Sequence, residues 1–273
     1  MSFDFSTAAD SNKNPLIYFS DRGEDYEKYR PIYPVSVIDT ILSRLGSSSQ
    51  ISAADIGAGT GIGSRLLADR GIQVKAIEPN EDMRAAAPLH ANVEYVAGTA
   101  EQIPLKTASV DLVTPFQAFH WFEFNKSLRE FHRILKPGGC LALAWSFWDQ
   151  DNLVSKEYSH LVLEASKDQE PQPRSGWSFK TWLKGIRYQL FWHGLLLPCF
   201  TNVQRHTFYS EQTLDFSGLI GLALSQGFTP SAGIGLEKLR TDLAMFYQRV
   251  CNPQGLVNLM YCTYLYTATP KHP

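Results

Sequence analysis

The chain has 273 residues, of which 44% are hydrophobic, enough for one well-packed α/β domain with a modest insertion. The formal net charge of −2 and the lack of a basic tract argue against a nucleic-acid-binding surface. The four cysteines are scattered without metal-ligand spacing, and the sequence shows neither a signal-peptide pattern nor an apolar run long enough to span a bilayer. We therefore expect a cytoplasmic protein with reduced thiols, no bound metal, no nucleic-acid partner and no membrane span.

The N-terminal residues 1–34 are expected to form an arm followed by a lid. Tyr26 and Tyr29 are three positions apart, which places both side chains on one face of a short helix. Pro31 limits that helix, because the residue before a proline disfavours the helical conformation. From Val35 to Leu45 the apolar residues recur with helical spacing, so a longer helix is predicted there.

A glycine-rich turn follows the first apolar run, which is predicted to be a buried strand from Ile51 to Ile56. Asp55 lies near the end of this strand, and without Cβ atoms the turn lets backbone N–H groups approach a ligand. A dinucleotide-binding turn has the spacing Gly-x-Gly-x-x-Gly, and an acid beside this turn would repel phosphate. The acid suits a cationic amino acid moiety instead. The glycines of the turn alternate along the chain: Gly57, Gly59, Gly61 and Gly63.

A second apolar run, Val74 to Ile77, is followed directly by Glu78. A carboxylate in this position is placed to accept hydrogen bonds from both hydroxyls of a ribose. Asp55 and Glu78 are expected to act as binding groups that stay ionised. The two acids together predict a nucleoside ligand that also carries an amino acid group.

Strands and helices alternate through the first half of the chain, which predicts a buried parallel sheet. Ligands of such sheets bind beyond the carboxyl ends of the strands. Asp55, Glu78, Thr99 and Gln117 all lie at or just after strand ends, so we expect them to converge on one crevice. The strands are predicted near residues 51–56, 74–78, 93–97, 110–115 and 140–146.

The second half of the chain is predicted to begin with a helical, aromatic insertion at residues 147–200. Most of its aromatic side chains are expected to pack against the sheet, and a minority to line a substrate pocket. Two antiparallel strands, near residues 202–209 and 255–266, are expected to complete the sheet as a hairpin. Helices are predicted between them at residues 214–226 and 236–250.

These segments, in this order, resemble the class I S-adenosylmethionine (SAM) methyltransferases. The lid sequence Tyr-x-x-Tyr-Arg-Pro-x-Tyr-Pro is similar to that of small-molecule methyltransferases of the trans-aconitate and ubiquinone-biosynthesis type. The resemblance implies a Rossmann-like α/β fold with a mostly parallel seven-stranded sheet, helices on both faces and an antiparallel final strand. One domain is expected over residues 1–273, with the lid, a SAM-binding core at 35–146, the insertion at 147–200 and C-terminal elements at 201–273. The family motifs correspond to residues 55–61, 77–83, 98–105, 109–113, 117–122 and 130–139.

The resemblance also implies SAM as cofactor and S-adenosylhomocysteine as product. Asp55 would lie near the amino group of the cofactor, directly or through water, and Met83 beside the adenine. Relatives often carry Asp where this chain has Thr99, so a hydroxyl would replace a carboxylate at the adenine edge. The implied cofactor-binding residues are Arg30, Asp55, Gly57, Gly59, Gly61, Glu78, Asn80, Met83, Thr99, Ala100, Glu101 and Gln117.

His120 is the candidate catalytic base, because it follows the fourth strand next to the expected methyl position. The alternative interpretation is a structural helix start in which the histidine bonds the backbone. The acceptor is expected to be a small molecule. The residues tentatively assigned to it are Tyr26, Tyr29, Trp121 and Trp145.

Two other functions are compatible with the same residues. One is a protein that binds SAM or S-adenosylhomocysteine without turnover, as a sensor or scaffold. The other is an NAD-dependent oxidoreductase, against which the alternating glycines and Asp55 argue. Many relatives have Ser-Arg-Ser where this chain has Gln226-Gly227, which weakens any transfer of acceptor identity. The acceptor, the methylated atom and the oligomeric state stay open.

Overall fold

The computed structural model describes residues 27–45, 51–166, 196, 198–226, 229–230 and 232–271. The predicted arm, Tyr26, Gly227 and most aromatic residues of the predicted insertion lie outside these ranges. The strands are β1 Ser52–Ile56, β2 Gln73–Ile77, β3 Val93–Val96, β4 Val110–Thr114, β5 Leu135–Trp148, β6 Phe200–Leu214 and β7 Val257–Pro270. The helices are α1 Val35–Ser43, α2 Ile62–Ala68, α3 Glu81–Ala85, α4 Phe124–Ile134, α5 Leu153–Ala165, α6 Phe216–Leu224 and α7 Gly233–Val250.

The seven strands form one sheet in the order β3-β2-β1-β4-β5-β7-β6. Neighbouring strands from β3 to β5 run parallel, whereas β7 is antiparallel to both β5 and β6. The predicted fold, including the antiparallel final strand, is therefore confirmed. Strand order reverses between β1 and β4, which places a ligand-binding crevice beyond the carboxyl ends of these two strands.

Helices cover both faces of the sheet, and consecutive strand residues face opposite sides. Ala53 packs with α1 and α2 on one face, whereas Ala54 packs with α4 on the other. Both faces are apolar, which explains why the strands appear in the sequence as continuous apolar runs.

A third apolar cluster lies at one end of the last strands, where α5, α6 and α7 pack together. Tyr158 of α5, Leu219 of α6 and Phe246 of α7 are fully or almost fully buried there, against Leu259 and Tyr261 of β7. We call this group of helices and strand ends the C-terminal layer. Since Tyr261 of β7 pairs with Trp148 at the end of β5, this layer lies at the carboxyl-end edge of the sheet, and we take it as the second wall of the crevice beside the loops that follow β1 to β4.

The last strands extend further than the sequence pattern predicted. β5 begins at Leu135 rather than near residue 140, while β6 and β7 continue to Leu214 and Pro270. The tips of β6 and β7 pair with each other along this extension, and this pairing keeps extended a stretch whose predicted strand ended at residue 209. Among the described residues, no helix is both long and apolar enough to cross a membrane.

Candidate functional site

The glycine turn after β1 is anchored to the neighbouring strand by its backbone. The N–H groups of Gly57 and Ala58 donate hydrogen bonds to the carbonyl oxygen of Ile77 at 2.8 and 3.2 Å. Gly59 and Gly61 have φ angles of +58° and +80°, a left-handed conformation that costs a residue with a side chain about 1–2 kcal/mol. Glycine at positions 59 and 61 is therefore required by the backbone path of this turn.

The turn is packed tightly on some sides and open on another. A Cβ atom on Gly61 would overlap the hydroxyl of Tyr95, and one on Gly63 would overlap the ring of Phe116. A Cβ atom on Gly59 would meet only the terminal methyl of Met83, at 3.4 Å, which is ordinary van der Waals contact. The space beside Gly59 is thus the side on which a ligand can approach the turn.

Glu78 connects this open side to the start of α3. Its Oε2 accepts a hydrogen bond from the Gly59 N–H at 2.9 Å, and its Oε1 accepts one from the Asn80 N–H at 2.9 Å. Asn80 caps α3 by accepting a bond from the Met83 N–H at 3.1 Å. The structure therefore brings together four residues that the sequence predicted to bind one ligand.

The carboxylate of Glu78 is only 7% exposed, and burial is the largest cause of a raised pKa for this group. The backbone amides of Asn80 and Gly59 oppose that rise because they stabilise the charged form. Since a carboxylate has about four lone-pair sites, the two amides leave acceptor capacity for hydroxyl donors.

Asp55 lies beneath the turn rather than at its surface. Its side chain is 1% exposed, and the Ser64 hydroxyl donates a hydrogen bond to Oδ2 at 2.6 Å. Burial raises the pKa of Asp55 to about 7, although the Ser64 hydroxyl and the Phe116 amide lower it. We expected an ionised carboxylate, but desolvation leaves it partly protonated near neutral pH in the ligand-free protein.

The loop after β3 lies beside the start of α4. Thr99 is exposed, whereas Ala100 is buried in the cluster on the α4 face of the sheet. An oxygen of Glu101 accepts a hydrogen bond from the Glu123 N–H at 2.9 Å, just before α4 begins. Glu101 therefore holds the start of this helix, and its predicted contact with a cofactor stays a prediction.

Gln117 holds the segment that follows β4 in place. It has a φ angle of +54°, and its N–H donates to the Ala144 carbonyl oxygen at 2.8 Å. Its side-chain amide donates to the Ser146 carbonyl oxygen at 3.1 Å and accepts from the Ser146 N–H at 2.9 Å. The amide thus joins the β4 exit to β5, a role that the sequence did not predict, and its cofactor contact stays a prediction.

His120 lies in a 3₁₀ turn at residues 119–121, which begins two residues after Gln117. Its side chain is 6% exposed, and its ring centroid is 4.8 Å from that of Trp121. Burial, and secondarily the nearby positive charge of Arg30, lowers the pKa of His120 to about 3. The imidazole is therefore neutral at physiological pH and has a low affinity for protons.

Trp145 was tentatively predicted to contact the acceptor, but the structure places it in the core. Its side chain is 0% exposed and lies between Phe119 and Tyr266, with ring centroids 6.3 Å away on each side. The reason is its register in β5, which directs it to the α4 face of the sheet. This leaves no surface for an acceptor to contact. Trp121 and Tyr29 are half-buried, and Tyr26 lies outside the described residues.

Residues 27–33, which we call the strap, connect the glycine turn to the C-terminal layer. At one end Glu27 forms an ion pair with Arg65, and Arg65 also donates to the Thr60 carbonyl oxygen at 2.6 Å. Further along, Arg30 donates to the Ser225 carbonyl oxygen at 3.1 Å. Tyr33 is the last residue of the strap.

The aromatic residues of the strap pack against both walls of the crevice. A Cβ atom on Gly221 of α6 would overlap the ring of Tyr29, so the two residues are in close contact. The ring of Tyr33 lies 4.9 Å from that of Phe116, which follows β4. The predicted lid is therefore tied to the C-terminal layer, a set of contacts that no local sequence pattern indicates.

In the part of the chain that the structure describes, the site contains neither a metal-binding cluster nor a disulfide. Among the described residues, no group of three or more His, Cys, Asp or Glu side chains is arranged to hold a metal ion. The four cysteines form no disulfide, and two of them, Cys140 and Cys262, are buried.

The strand order, the glycine turn after β1 and the acid after β2 define a protein of the class I methyltransferase type. A solved structure of a type II methyltransferase from Anaeromyxobacter dehalogenans has the same fold, with a TM-score of 0.65 and 21% identity over 88% of this chain and 98% of that one. A family model described as a methyltransferase domain matches residues 54–143.

Curated relatives extend this similarity to nearly the whole chain. An uncharacterized methyltransferase of Mycobacterium tuberculosis is 31% identical over 268 residues, covering 95% of this chain and 98% of the relative. The ubiquinone/menaquinone biosynthesis C-methyltransferase of Rubrivivax gelatinosus is 38% identical over 100 residues, covering 34% of this chain and 40% of the relative. The chain therefore belongs to the class I SAM-dependent methyltransferase family.

Proposed function

We propose that this protein transfers a methyl group from SAM to a small-molecule acceptor and releases S-adenosylhomocysteine. The observation that carries the proposal is the joined group of Gly59, Glu78, Asn80 and Met83 beside the open side of the glycine turn. These residues combine backbone that a ligand can approach, free acceptor capacity on a buried carboxylate, and an apolar side chain. That is the set of contacts that a nucleoside needs.

In this proposal Glu78 accepts hydrogen bonds from the ribose hydroxyls, and Met83 packs against the adenine. Thr99, with Ala100 and Glu101, lies at the adenine edge. The methionine part of SAM lies over the backbone of Gly57, Gly59 and Gly61, with Asp55 near its ammonium group through water. Arg30 faces its carboxylate, and Gln117 contributes by holding the loop that closes the methyl end.

The reaction is an in-line displacement at the methyl carbon. When bound, SAM would supply a methyl group on a positive sulfur; the carbon–sulfur bond would break as the bond to the acceptor formed, and its electron pair would stay on the sulfur of neutral S-adenosylhomocysteine. Since the sulfonium already activates the methyl group, the protein chiefly aligns the two reactants and excludes water. The strap, which contacts both walls of the crevice, is suited to that task.

We propose that His120 lies at the methyl end of this crevice, where its pKa of about 3 makes it a weak base. A weak base favours an acceptor that is nucleophilic without losing a proton, such as a carboxylate, over a hydroxyl or a carbon that must be deprotonated. In this proposal the half-buried Trp121, whose ring lies 4.8 Å from that of His120, and the half-buried Tyr29 of the strap contact the acceptor. A cytoplasmic location is part of the same proposal.

The test is transfer of label from methyl-labelled SAM into a cell extract that is then fractionated into small molecules, lipids, protein and RNA. Label in the small-molecule fraction is the expected result, and label only in protein or RNA would contradict the proposed acceptor class. The variant Glu78→Gln should lose most of the transfer. The matched control Glu94→Gln, on the exposed side of β3, should retain it.

Calorimetric titration with SAM separates binding from turnover. Binding of SAM without any transfer would support a sensor or scaffold instead of an enzyme, since binding and turnover are separable. No binding at all would reject the whole proposal.

A further inference from the structure

Gln212 connects the strap to the sheet through both ends of its side-chain amide. It lies on β6, opposite Leu259 of β7, in the part of the strand beyond its predicted end. Its Nε2 donates a hydrogen bond to the Tyr29 carbonyl oxygen at 2.9 Å, and its Oε1 accepts one from the Tyr261 hydroxyl at 2.8 Å. A polar residue that uses both a donor and an acceptor in this way fixes the geometry of its two partners.

The hydrogen bonds continue beyond Tyr261 to the end of β5. The indole Nε1 of Trp148 donates to the Tyr261 hydroxyl at 3.2 Å, so four residues form one chain from Trp148 through Tyr261 and Gln212 to Tyr29. Every donor in this chain points in the same direction, from the C-terminal layer toward the strap. Bonds aligned in this way polarise and strengthen one another in a low-dielectric environment, and Tyr261 is 2% exposed.

The opposite end of the strap is attached to the glycine turn. Glu27 pairs with Arg65, and Arg65 holds the Thr60 carbonyl oxygen within the turn. The strap therefore has one attachment on the side proposed for the cofactor and another, through Gln212, on the C-terminal layer.

We propose that Gln212 is a positioning residue that holds the strap closed over the crevice and couples cofactor binding to the state of the C-terminal layer. This inference rests on the proposed function, since the cofactor is taken to lie beneath the strap. Gln212 acts through the Tyr29 backbone and does not touch the reacting atoms. Because coupling between two sites is reciprocal, an acceptor that displaces the Trp148 or Tyr261 end must change SAM affinity, and SAM must change acceptor affinity by the same factor.

The first test compares the affinity of S-adenosylhomocysteine for Gln212→Met and wild type by calorimetry. Methionine has a similar length but offers neither of the two hydrogen bonds. Loss of one or two net hydrogen bonds should weaken affinity about two- to tenfold. The matched control is Gln204→Met, because Gln204 is an exposed glutamine on the same strand, and its affinity should equal that of wild type.

A second readout distinguishes positioning from general stability. Hydrogen exchange of residues 27–33 should become faster in Gln212→Met while that of β1 and β4 stays unchanged. A residue with a merely structural role would instead lower the unfolding midpoint without changing ligand affinity or strap exchange. Equal affinity and equal strap exchange in Gln212→Met and wild type would overturn the proposal.

Tyr261→Phe keeps the test decisive if Gln212→Met does not fold. It removes only the hydroxyl from the chain of hydrogen bonds and should weaken affinity in the same direction. Wild-type affinity in Tyr261→Phe would show that the chain does not reach the strap. Failure of wild type itself to bind S-adenosylhomocysteine would count against the proposed function, whereas binding that neither variant changes would count against Gln212 alone.

Discussion

Alanine at Gly59 should weaken cofactor binding about 100-fold while leaving the fold intact. The φ angle of +58° makes any side chain there cost about 1–2 kcal/mol. The added Cβ atom meets only the Met83 methyl at 3.4 Å, so packing contributes little further cost. Since domains of this kind are stable by about 5–15 kcal/mol, Gly59→Ala should remain folded.

The effect on the ligand is expected to be much larger. The new methyl would occupy the open side of the turn, and a ligand atom must stay roughly 3.5–4 Å from it. A cofactor lying on this backbone would have to move away and lose about two hydrogen bonds, which together contribute roughly 2–3 kcal/mol. SAM affinity should therefore fall about 100-fold, as measured by calorimetric titration.

Gly71→Ala is the matched control for backbone strain. Gly71 has a φ angle of +81° and no atom within 4 Å of an added Cβ atom, and it lies in the exposed turn between α2 and β2. Both variants should lose similar stability in urea unfolding, but only Gly59→Ala should lose SAM binding. Equal SAM affinity in the two variants would refute the assignment of the open side of the turn to the cofactor.

Three further predictions follow from buried groups and close contacts. Burial raises the pKa of Asp55 to about 7 in the folded protein, so this carboxyl ionises at lower pH in the unfolded chain than in the folded one. Wild type should therefore lose stability as pH rises from about 4 to 7. In urea unfolding, the free energy of unfolding of Asp55→Asn should therefore exceed that of wild type by up to about 4 kcal/mol at pH 8 and should equal it below pH 4. A difference between the two proteins that does not change with pH would contradict this. Because burial lowers the pKa of His120 to about 3 in the ligand-free protein, kcat/KM should show no inflection between pH 5 and 8 that His120→Asn removes; finding one would reinstate the general base. Gly221→Ala would displace the ring of Tyr29 and should weaken binding of S-adenosylhomocysteine as much as Gln212→Met does. This loss is expected even though alanine stabilises a helix by about 1 kcal/mol relative to glycine. Unchanged affinity would show that this contact does not hold the strap.

The parallel half of the sheet was predictable because its signals are local. Strands buried on both faces appear as continuous apolar runs, and the turn after β1 needs glycine at Gly59 and Gly61 for its left-handed backbone. Glu78 was likewise recognisable, because the residue after a parallel strand necessarily lies at the ligand-binding edge.

Residues in the same motifs were harder to assign where a side chain has two possible uses. Gln117 and Glu101 stand at predicted cofactor positions, yet their side chains bond the backbone of Ser146 and Glu123. Trp145 lies in the core because of its register in β5. A motif determines where the backbone goes, but the partner of each side chain depends on residues distant in sequence.

The sequence by itself determined the class of fold and the expected location of the crevice, because these depend on hydrophobic period, glycine positions and strand ends. Only the tertiary structure decided the ionisation of Asp55 and His120, since burial by distant residues sets their pKa values. It alone also joined Tyr29 to Gln212, which are 183 positions apart. No local pattern encodes such a contact, because it forms only when the extended ends of β6 and β7 pair beside the strap.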